Sequence, residues 1–517
     1  MKVVMEKIKE AKDVKMVGTK SVTQRSAALA QLESILAQHP FGNSTYITEQ
    51  LHICYERRLH KISCHLPVAG QLLHALRQAD PSCRYRVIGD MVVRCAVQHA
   101  LKQVETGTQY GLPLGECEEV FRDSLRLLRE GVCAPLGSGL VHRLGAAPYH
   151  AWIWSEERSS NVVGRAFRYL VYDNFGEHLC TPNADELAML AKGAQLLGNL
   201  LPVLSRSALS HAHLVGVFPP IGDWIGTASC SEFRLSGAMF LSRLLLSNPW
   251  GVAEAMFHEA LHHQMYDFRQ GHSLLQPDFA RDEAPRVHSL WNLPDSSRGN
   301  YWDTHRALAA FHVYVHLALF WTVAEHRSQE LEEVYGKLFS KVGSYTAFAR
   351  AHYLAEQIRA LCWQELGLAG KRFLDWFSSV LDVLNPSPPP EGSYVHLLLD
   401  RYRREMKHVD LFQNNLKRSP NFSQQIASIA KNEINSTRRV LAIVNAEAAL
   451  GRFNDALAHL SDEELGTQFS QVRRVISETI LDASPNGYTL CAPRVGDEIV
   501  KQMVESSSER LRILLAR

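Results

Sequence analysis

The sequence predicts a mostly α-helical fold with a small mixed β-sheet, an α+β class in which a metallopeptidase-like metal helix is flanked by helical N-terminal and C-terminal regions. Three observations favour this class. Stretches with apolar residues at helical spacing fill the first and last thirds of the chain. Aromatic and β-branched segments are concentrated between them. These segments lead into a helical stretch that contains a His-Glu-Xaa-Xaa-His motif.

The chain has 517 residues, more than one hydrophobic core usually organises, so we expect several regions. They are a helical N-terminal region at 1–145, a sheet-containing region at 146–245, a metal-binding helical catalytic region at 246–384 and a helical C-terminal region at 393–517. The proline-rich stretch Asn385–Gly392 has the composition of a short extended linker. It therefore separates the catalytic region from the C-terminal region.

The elements of the sheet-containing region follow a long run of amphipathic helices that has few functional markers. His150–Trp154 and Val162–Tyr172 are rich in aromatic and β-branched residues, which favours strands. A helix is predicted at Asp185–Leu201, and strands are predicted at His213–Phe218 and Phe233–Leu241. The sheet therefore leads directly into the metal-binding helix.

That helix is predicted from about residue 249 to residue 268, with Ser247-Asn248-Pro249 as its N-terminal cap and first turn. Histidines four residues apart lie on one helix face, so the rings of His258 and His262 can converge on one ion. Glu259 lies about 100° around the helix, from where its carboxylate can reach a metal-bound water or bind the metal itself. The alternative is a chance match in which both histidines are ordinary core or surface residues.

A third ligand is expected from a second histidine-bearing helix downstream. His305, His312 and His316 are spaced by seven and four residues, so they share one stripe of that helix and any of them can face the first helix. Its many aromatic neighbours indicate that the helix is buried, so two of the three histidines are expected to be core residues. The segment 271–300 between the helices is long and rich in Pro, Asp, Ser and Arg, which predicts an active-site rim or lid.

The charge balance excludes some classes of partner. Acidic and basic residues nearly cancel, with a formal net charge of +1 at pH 7, so no global electrostatic case exists for nucleic acid or a membrane surface. The start Met1–Lys7 is charged and apolar runs such as Val313–Val323 are short, which predicts a cytoplasmic protein. The 10 cysteines form no Cys-Xaa-Xaa-Cys pairs, which argues against a zinc ribbon or disulfide framework and predicts reduced thiols.

The region from Phe233 to Trp321 resembles the His-Glu-Xaa-Xaa-His motif peptide-modification family, which is found beside ribosomally made peptide natural products. The matching elements are the strand Gly237–Ser242, the motif in Phe257–His262, Trp291, Arg298 and His305. The chain departs from the family pattern at Gly299, where the family has proline, and at the residues on either side of His305. The resemblance covers less than a fifth of the chain.

The resemblance implies an Fe(II)- and 2-oxoglutarate-dependent oxygenase that hydroxylates a peptide side chain, typically at a β-carbon. Its partner would be a ribosomally synthesised peptide, and the need for a leader in a precursor of that peptide is left open. In this interpretation His258, His262 and His305 bind Fe(II) and leave coordination positions for the keto acid and oxygen. The usual iron triad contains a carboxylate. Binding of the metal by Glu259 is therefore the alternative to its role as a catalytic base.

A 2-oxoglutarate site also needs a cation for the distal carboxylate, ideally a bidentate arginine. Arg298, Arg306 and Arg234 are the candidates; Arg298 has the resemblance behind it, and Arg306 adjoins the proposed third ligand. Further hydroxyl donors are available in the loop before the motif helix, at Thr227, Ser229 and Ser231.

A zinc metallopeptidase is the alternative function. There Zn(II) lowers the pKa of its bound water to about 7, and Glu259 takes the proton as that water attacks a peptide carbonyl. Against hydrolysis, Gly271 and His272 come too late for the compact three-histidine motif, and Glu325 and Glu330 lie beyond the histidine stripe. A second alternative is a non-catalytic peptide-binding protein. In metallopeptidase-like folds an open strand edge beside the metal helix can pair with an extended peptide, so peptide is the expected partner throughout.

Overall fold

The computed structural model describes residues 22–130, 142–144, 151–156, 162–225, 228–292, 299–338, 343–385, 387–416, 420–484, 488–490 and 494–515. Within these residues the chain is mostly helical with a small mixed sheet, which confirms the α-rich α+β class. The chain divides into two compact units. Unit 1 comprises Met1–Pro277, His312–Ala347 and Gly367–Leu384, and unit 2 comprises Asp278–Phe311, Phe348–Leu366 and Asn385–Arg517.

The described part of unit 1 begins with a run of helices. Their bounds are α1 Val22–Gln38, α2 Ser44–Ser63, α3 Pro67–Gln78, α4 Pro81–Gly89, α5 Met91–Thr106 and α6 Leu114–Arg129. Polar side chains cap several of them: Asn43, Asp80 and Asp90 accept hydrogen bonds from backbone amides in the first turns of α2, α4 and α5. The apolar faces of α2 to α6 pack into one hydrophobic core with the sheet.

The central sheet of unit 1 has the strand order β1-β2-β3-β5-β4. Its strands are β1 Arg143–Leu144, β2 Ala151–Ile153, β3 Leu214–Phe218, β4 Ser229–Ser231 and β5 Ala238–Ser242. Strands β2, β3 and β5 are parallel, whereas β1 and β4 run antiparallel to their neighbours at the two ends. Among the described strands β4 pairs only with β5, so β4 is an edge strand.

Helices connect β2 to β3, and one of them corrects the sequence-based expectation. They are α7 Val162–Phe175, α8 Ala184–Leu200 and α9 Leu204–Leu209. The prediction of a strand at Val162–Tyr172 is wrong, because Val163, Phe167 and Leu170 recur at helical spacing and are buried together. The strand predicted to begin at Phe233 begins at Ala238, after a 3-10 turn and Gly237, whose φ of 102° favours glycine.

Helix α10, Pro249–Gly271, carries the His-Glu-Xaa-Xaa-His motif, as predicted. Asn248 caps it by accepting hydrogen bonds from the amides of Trp250 and Gly251, and Pro249 fits the first turn because it lacks an amide donor. The helix packs against α2, α8, α9 and the edge strand β4. It therefore contacts both helices and the sheet of unit 1.

Helix α11, Thr304–Tyr335, begins in unit 2 and continues in unit 1 from His312. Among the described residues it is the helix that is long and apolar enough to cross a membrane. Its most apolar 18-residue window is 94% buried inside the protein, which is typical of the core helix of a soluble protein.

The remaining elements include a short antiparallel pair in unit 2, β6 Val287–His288 and β7 Tyr301–Trp302. The helices are α12 Gly343–Leu361, α13 Leu368–Leu384, α14 Val395–Leu416, α15 Pro420–Ile443, α16 Glu447–Leu457, α17 Asp462–Thr467, α18 Phe469–Asp482 and α19 Val495–Leu515. Fully buried Arg473 of α18 forms ion pairs with Glu405 of α14 and Glu433 of α15. Buried charges thus connect these helices of unit 2.

The described cysteines differ in one respect from the expectation of reduced thiols. Free thiols are found at Cys54, Cys64, Cys95, Cys117, Cys180, Cys230 and Cys362. Cys83, on α4, is disulfide-bonded. The expectation of reduced thiols is therefore wrong for Cys83.

Candidate metal centre

The rings of His258 and His262 converge on one face of α10. Their Nε2 atoms are 3.2 Å apart and their ring centroids are 5.0 Å apart. Two imidazoles that bind one ion at about 2.0–2.1 Å in tetrahedral geometry hold their nitrogens about 3.3 Å apart. The observed separation therefore suits a shared ion, although a hydrogen bond between one protonated and one unprotonated nitrogen has the same length.

Glu259 adds a carboxylate to this pair. One ligand atom from each of His258, Glu259 and His262 lies within 4.8 Å of the others. Glu259 is only 2% exposed, and its Oε1 accepts a 2.6 Å hydrogen bond from the Ser229 hydroxyl. Two imidazoles and one oriented carboxylate form a donor set that suits Fe(II) or Zn(II), so these residues fit a divalent ion.

The edge strand β4 and Tyr266 lie next to the three candidate metal donors. Ser229 is the first residue of β4, and Ser231 is its last. The Tyr266 ring stacks on the His262 ring with centroids 5.9 Å apart and planes 21° apart. Burial raises the pKa of Tyr266, and the carboxylates of Glu232 and Glu259 raise it further, so the phenol stays protonated.

His263, the next residue, has a structural role. It is fully buried; its Nδ1 accepts a 3.2 Å hydrogen bond from the Gly237 amide, and its Nε2 donates a 2.9 Å hydrogen bond to the Ala238 carbonyl. Burial lowers the pKa of His263 to about 4, so the ring is neutral at pH 7. Both ring nitrogens are used by the backbone beside β5, so His263 ties α10 to the sheet.

One turn beyond His263, Asp267 anchors α10 through a buried charge cluster. Its two carboxylate oxygens lie 2.7 Å and 3.3 Å from the Arg94 guanidinium on α5, and its Oδ2 lies 2.8 Å from His211 Nδ1. All three side chains are at most 2% exposed. Burial would raise the pKa of Asp267, but Arg94 and His211 lower it, so the carboxylate is charged. The cluster fixes α10 to α5 and to the segment before β3.

His312 and His316 of α11 are fully buried in unit 1. Their ring centroids are 4.4 Å apart, and both rings contact Phe377 of α13. Burial lowers the pKa of both histidines, and that of His316 falls to about 4. His312 and His316 therefore pack as residues of the hydrophobic core.

The remaining residues named from the sequence are divided between the two units. His305 is half-buried at the start of α11, in the part that belongs to unit 2, and stays a prediction as third ligand. The Arg306 guanidinium beside it lies 5.1 Å from the centroid of the Trp302 ring. Arg234 is exposed in a 3-10 turn of unit 1. Arg298 lies outside the described residues, as does Thr227. The cation for 2-oxoglutarate therefore stays a prediction.

Ser229 and Asp267 are the residues of this site whose roles the sequence did not indicate. Ser229 is one of three residues that the sequence offers as further hydroxyl donors, and its hydroxyl donates to Glu259. Asp267 lies between Tyr266 and Phe268, and a charged residue with such neighbours is a signal that could have indicated a buried partner. No protein-family model matches the chain, and no curated protein matches it.

Proposed function

We propose that the chain is a metal-dependent enzyme that acts on a peptide and holds its ion with His258 and His262. The observation that carries this proposal is the 3.2 Å separation of the two Nε2 atoms beside the buried carboxylate of Glu259. Both histidines are half-buried, as a catalytic site requires if substrate is to reach the ion. A purely structural metal site would instead be closed by protein ligands.

The preferred form of the proposal is an Fe(II)- and 2-oxoglutarate-dependent hydroxylase of a ribosomally synthesised peptide, because of the resemblance of Phe233–Trp321. Imidazole and carboxylate donors suit Fe(II). When bound, the iron would supply the chemistry by which dioxygen oxidises the keto acid to succinate and CO2 and hydroxylates a C–H bond of the peptide. The described residues fit the ion; Arg298, Arg306 and Arg234 remain the candidates for the distal carboxylate of the keto acid.

Other residues of the chain orient the three candidate metal donors. Ser229 donates to Glu259 Oε1 and thereby fixes the carboxylate beside the two imidazoles. Asp267 and His263 fix the rotation of α10 through partners that are buried with them. Strand β4 offers an edge beside the donors, where an extended peptide can pair through main-chain hydrogen bonds. Peptide is therefore the substrate class that this arrangement suits best.

Anaerobic addition of Fe(II) and then 2-oxoglutarate tests the preferred form. We expect the weak visible absorption band of an iron-chelated keto acid, and we expect His262→Ala to lack it. His74→Ala, which removes an exposed histidine of α3, is the matched control and should keep the band. A wild-type protein that binds Fe(II) but gives no band with 2-oxoglutarate would contradict the hydroxylase.

The third ligand is tested by a pair of variants on α11. His305→Ala should abolish metal retention if His305 is the ligand. His312→Ala should instead lower the free energy of unfolding, by about 2–4 kcal/mol, because it removes a fully buried ring. Metal content after gel filtration and urea unfolding separate the two outcomes. Loss of metal in His312→Ala alone would assign the third ligand to His312.

A zinc metallopeptidase is the second candidate, favoured by the position of Glu259. Its carboxylate lies beside both imidazoles and directly follows the first of them in sequence, where a general base could take a proton from a metal-bound water. Peptide cleavage that requires Zn(II) and proceeds without oxygen would favour this candidate. Glu259→Gln should inactivate either enzyme and does not distinguish them.

A further inference from the structure

The ring of Tyr266 lies beside the ring of the candidate ligand His262. The two residues are four apart on α10, so their side chains are neighbours on one face of the helix. Their ring centroids are 5.9 Å apart and their planes are inclined by 21°, which is an offset parallel arrangement. The ring of His258, by contrast, is inclined by 61° to that of His262. Tyr266 therefore lies nearly parallel to the plane of the His262 imidazole.

Tyr266 is itself held by two further rings. It is only 7% exposed. The Phe233 ring, in the 3-10 turn before β5, meets it edge to face, with centroids 5.4 Å apart and planes 87° apart. The ring of His263 lies 5.8 Å away at 83° and is bonded through both nitrogens to the backbone beside β5. The Tyr266 ring therefore cannot leave its plane without displacing neighbours that belong to the sheet side of unit 1.

The orientation of an imidazole decides whether it can bind an ion, because the lone pair of the metal-binding nitrogen lies in the ring plane. His262 is half-buried, so the hydrophobic core does not enclose its ring as it encloses that of His263. A side chain that is free to rotate loses conformational entropy when it binds, which lowers affinity. A ring that already lies along a fixed neighbour has lost part of that freedom before the ion arrives.

We propose that Tyr266 is a positioning residue whose ring holds the His262 imidazole in the plane that binds the ion. This inference rests on the proposed function, because it takes His262 as a ligand, and it adds a residue outside the motif. An action of the phenol hydroxyl is the alternative, since the carboxylates of Glu232 and Glu259 influence that group electrostatically. The two mechanisms differ in whether phenylalanine can replace tyrosine.

Titration of the full, metal-free chain with Co(II) tests the inference. Co(II) binds to sites that suit Zn(II) or Fe(II), and its visible absorption bands report the geometry of the ligands. Tyr266→Leu removes the ring, so we expect Co(II) affinity to fall about tenfold and the visible bands to shift. Tyr266→Phe keeps the ring and should keep both the affinity and the bands of the wild-type protein.

Phe268→Leu is the matched control for the loss of a buried ring from α10. Phe268 is 3% exposed, and its ring lies against those of Phe41 and Phe373, which are not candidate donors. Both leucine variants should unfold at lower urea concentrations than the wild-type protein, because each loses a buried ring. Phe268→Leu should nevertheless leave Co(II) affinity and the visible bands unchanged. An equal loss of affinity in the two leucine variants would reduce Tyr266 to general packing and overturn the inference.

Phe233→Leu is a second test, which does not depend on the folding of Tyr266→Leu. It removes one of the rings that hold Tyr266 and leaves α10 unaltered, so Co(II) affinity should fall about threefold. Equal weakening by Tyr266→Phe and Tyr266→Leu would assign the effect to the hydroxyl, and unchanged binding in Tyr266→Leu would show that the ring does not orient His262. Either result would overturn the inference and leave the metal centre standing. A wild-type protein that binds no Co(II) would instead contradict the metal centre itself.

Discussion

Two faces of α10 carry histidines in contrasting surroundings. On one face, His258 and His262 are half-buried, and their Nε2 atoms approach each other at 3.2 Å. On the other, His263 is fully buried, and both of its ring nitrogens are bonded to the backbone beside β5. Asp267, on the buried face as well, is matched by Arg94 and His211. The same helix therefore separates residues that hold it in place from residues that can hold an ion.

The contrast shows which property distinguishes a ligand from a structural histidine. A buried polar group must find its partner within the protein, since no water can replace it. A half-buried imidazole can leave a nitrogen for a metal because water serves it when the metal is absent. Adjacent histidines in one motif thus differ in role through burial and bonding partners, which the residue type does not reveal.

Disrupting the ion pairs on the buried face of α10 should have the largest effect on the free energy of unfolding. Asp267→Asn leaves the Arg94 guanidinium buried without its charged partner, so we expect the free energy of unfolding to fall by about 3–5 kcal/mol. Urea unfolding of the metal-free protein measures it. Glu118→Gln is the control, because its ion pair with Arg122 is solvent-exposed and should contribute less than about 1 kcal/mol. Similar losses in the two variants would show that the Asp267 cluster does not anchor α10.

Removing a histidine from the half-buried face of α10 should lower metal affinity and leave the free energy of unfolding nearly unchanged. Loss of an outer hydrogen-bond partner of a ligand lowers metal affinity about 10- to 100-fold, so His262→Ala should lower it by more than about 100-fold. Its unfolding free energy without metal should change by about 1 kcal/mol or less, as is usual away from a core. Calorimetric titration with Zn(II) or Fe(II) and urea unfolding measure both quantities. Unchanged metal affinity would remove the basis for an ion on this face.

The smallest effect is expected at the hydrogen bond between the edge strand and the carboxylate. Ser229→Ala removes the donor to Glu259 Oε1 and should lower metal affinity about tenfold, because the carboxylate loses its fixed orientation. Ser229→Thr keeps the hydroxyl and should restore most of the affinity in the same titration. An effect of Ser229→Ala on stability alone would limit the role of this hydroxyl to packing.

Helix α10 was predictable because its signals are local. Asn248 and Pro249 mark its start, and the motif spacing places His258 and His262 on one face whatever surrounds them. The strand predicted at Val162–Tyr172 was wrong, because β-branched and aromatic composition was given more weight than the helical spacing of the buried residues.

The partners of the site could not be predicted, because they are distant in sequence. Ser229 reaches Glu259 through the register of β4 against β5, and 30 residues separate the two. Asp267 meets Arg94 across 173 residues. Only the folded chain brings such pairs together, so no sequence window contains both members.

Gly237 suggests a way to recognise distant relatives of this chain. A side-chain carbon at this position would lie 2.6 Å from the Gly89 carbonyl oxygen, and its φ of 102° is one that other residues rarely adopt. The same residue donates its amide to His263, so its backbone path and the orientation of α10 are set together. In evolution, a lineage that retains the paired imidazoles should also retain glycine here, which offers a marker that the short motif lacks.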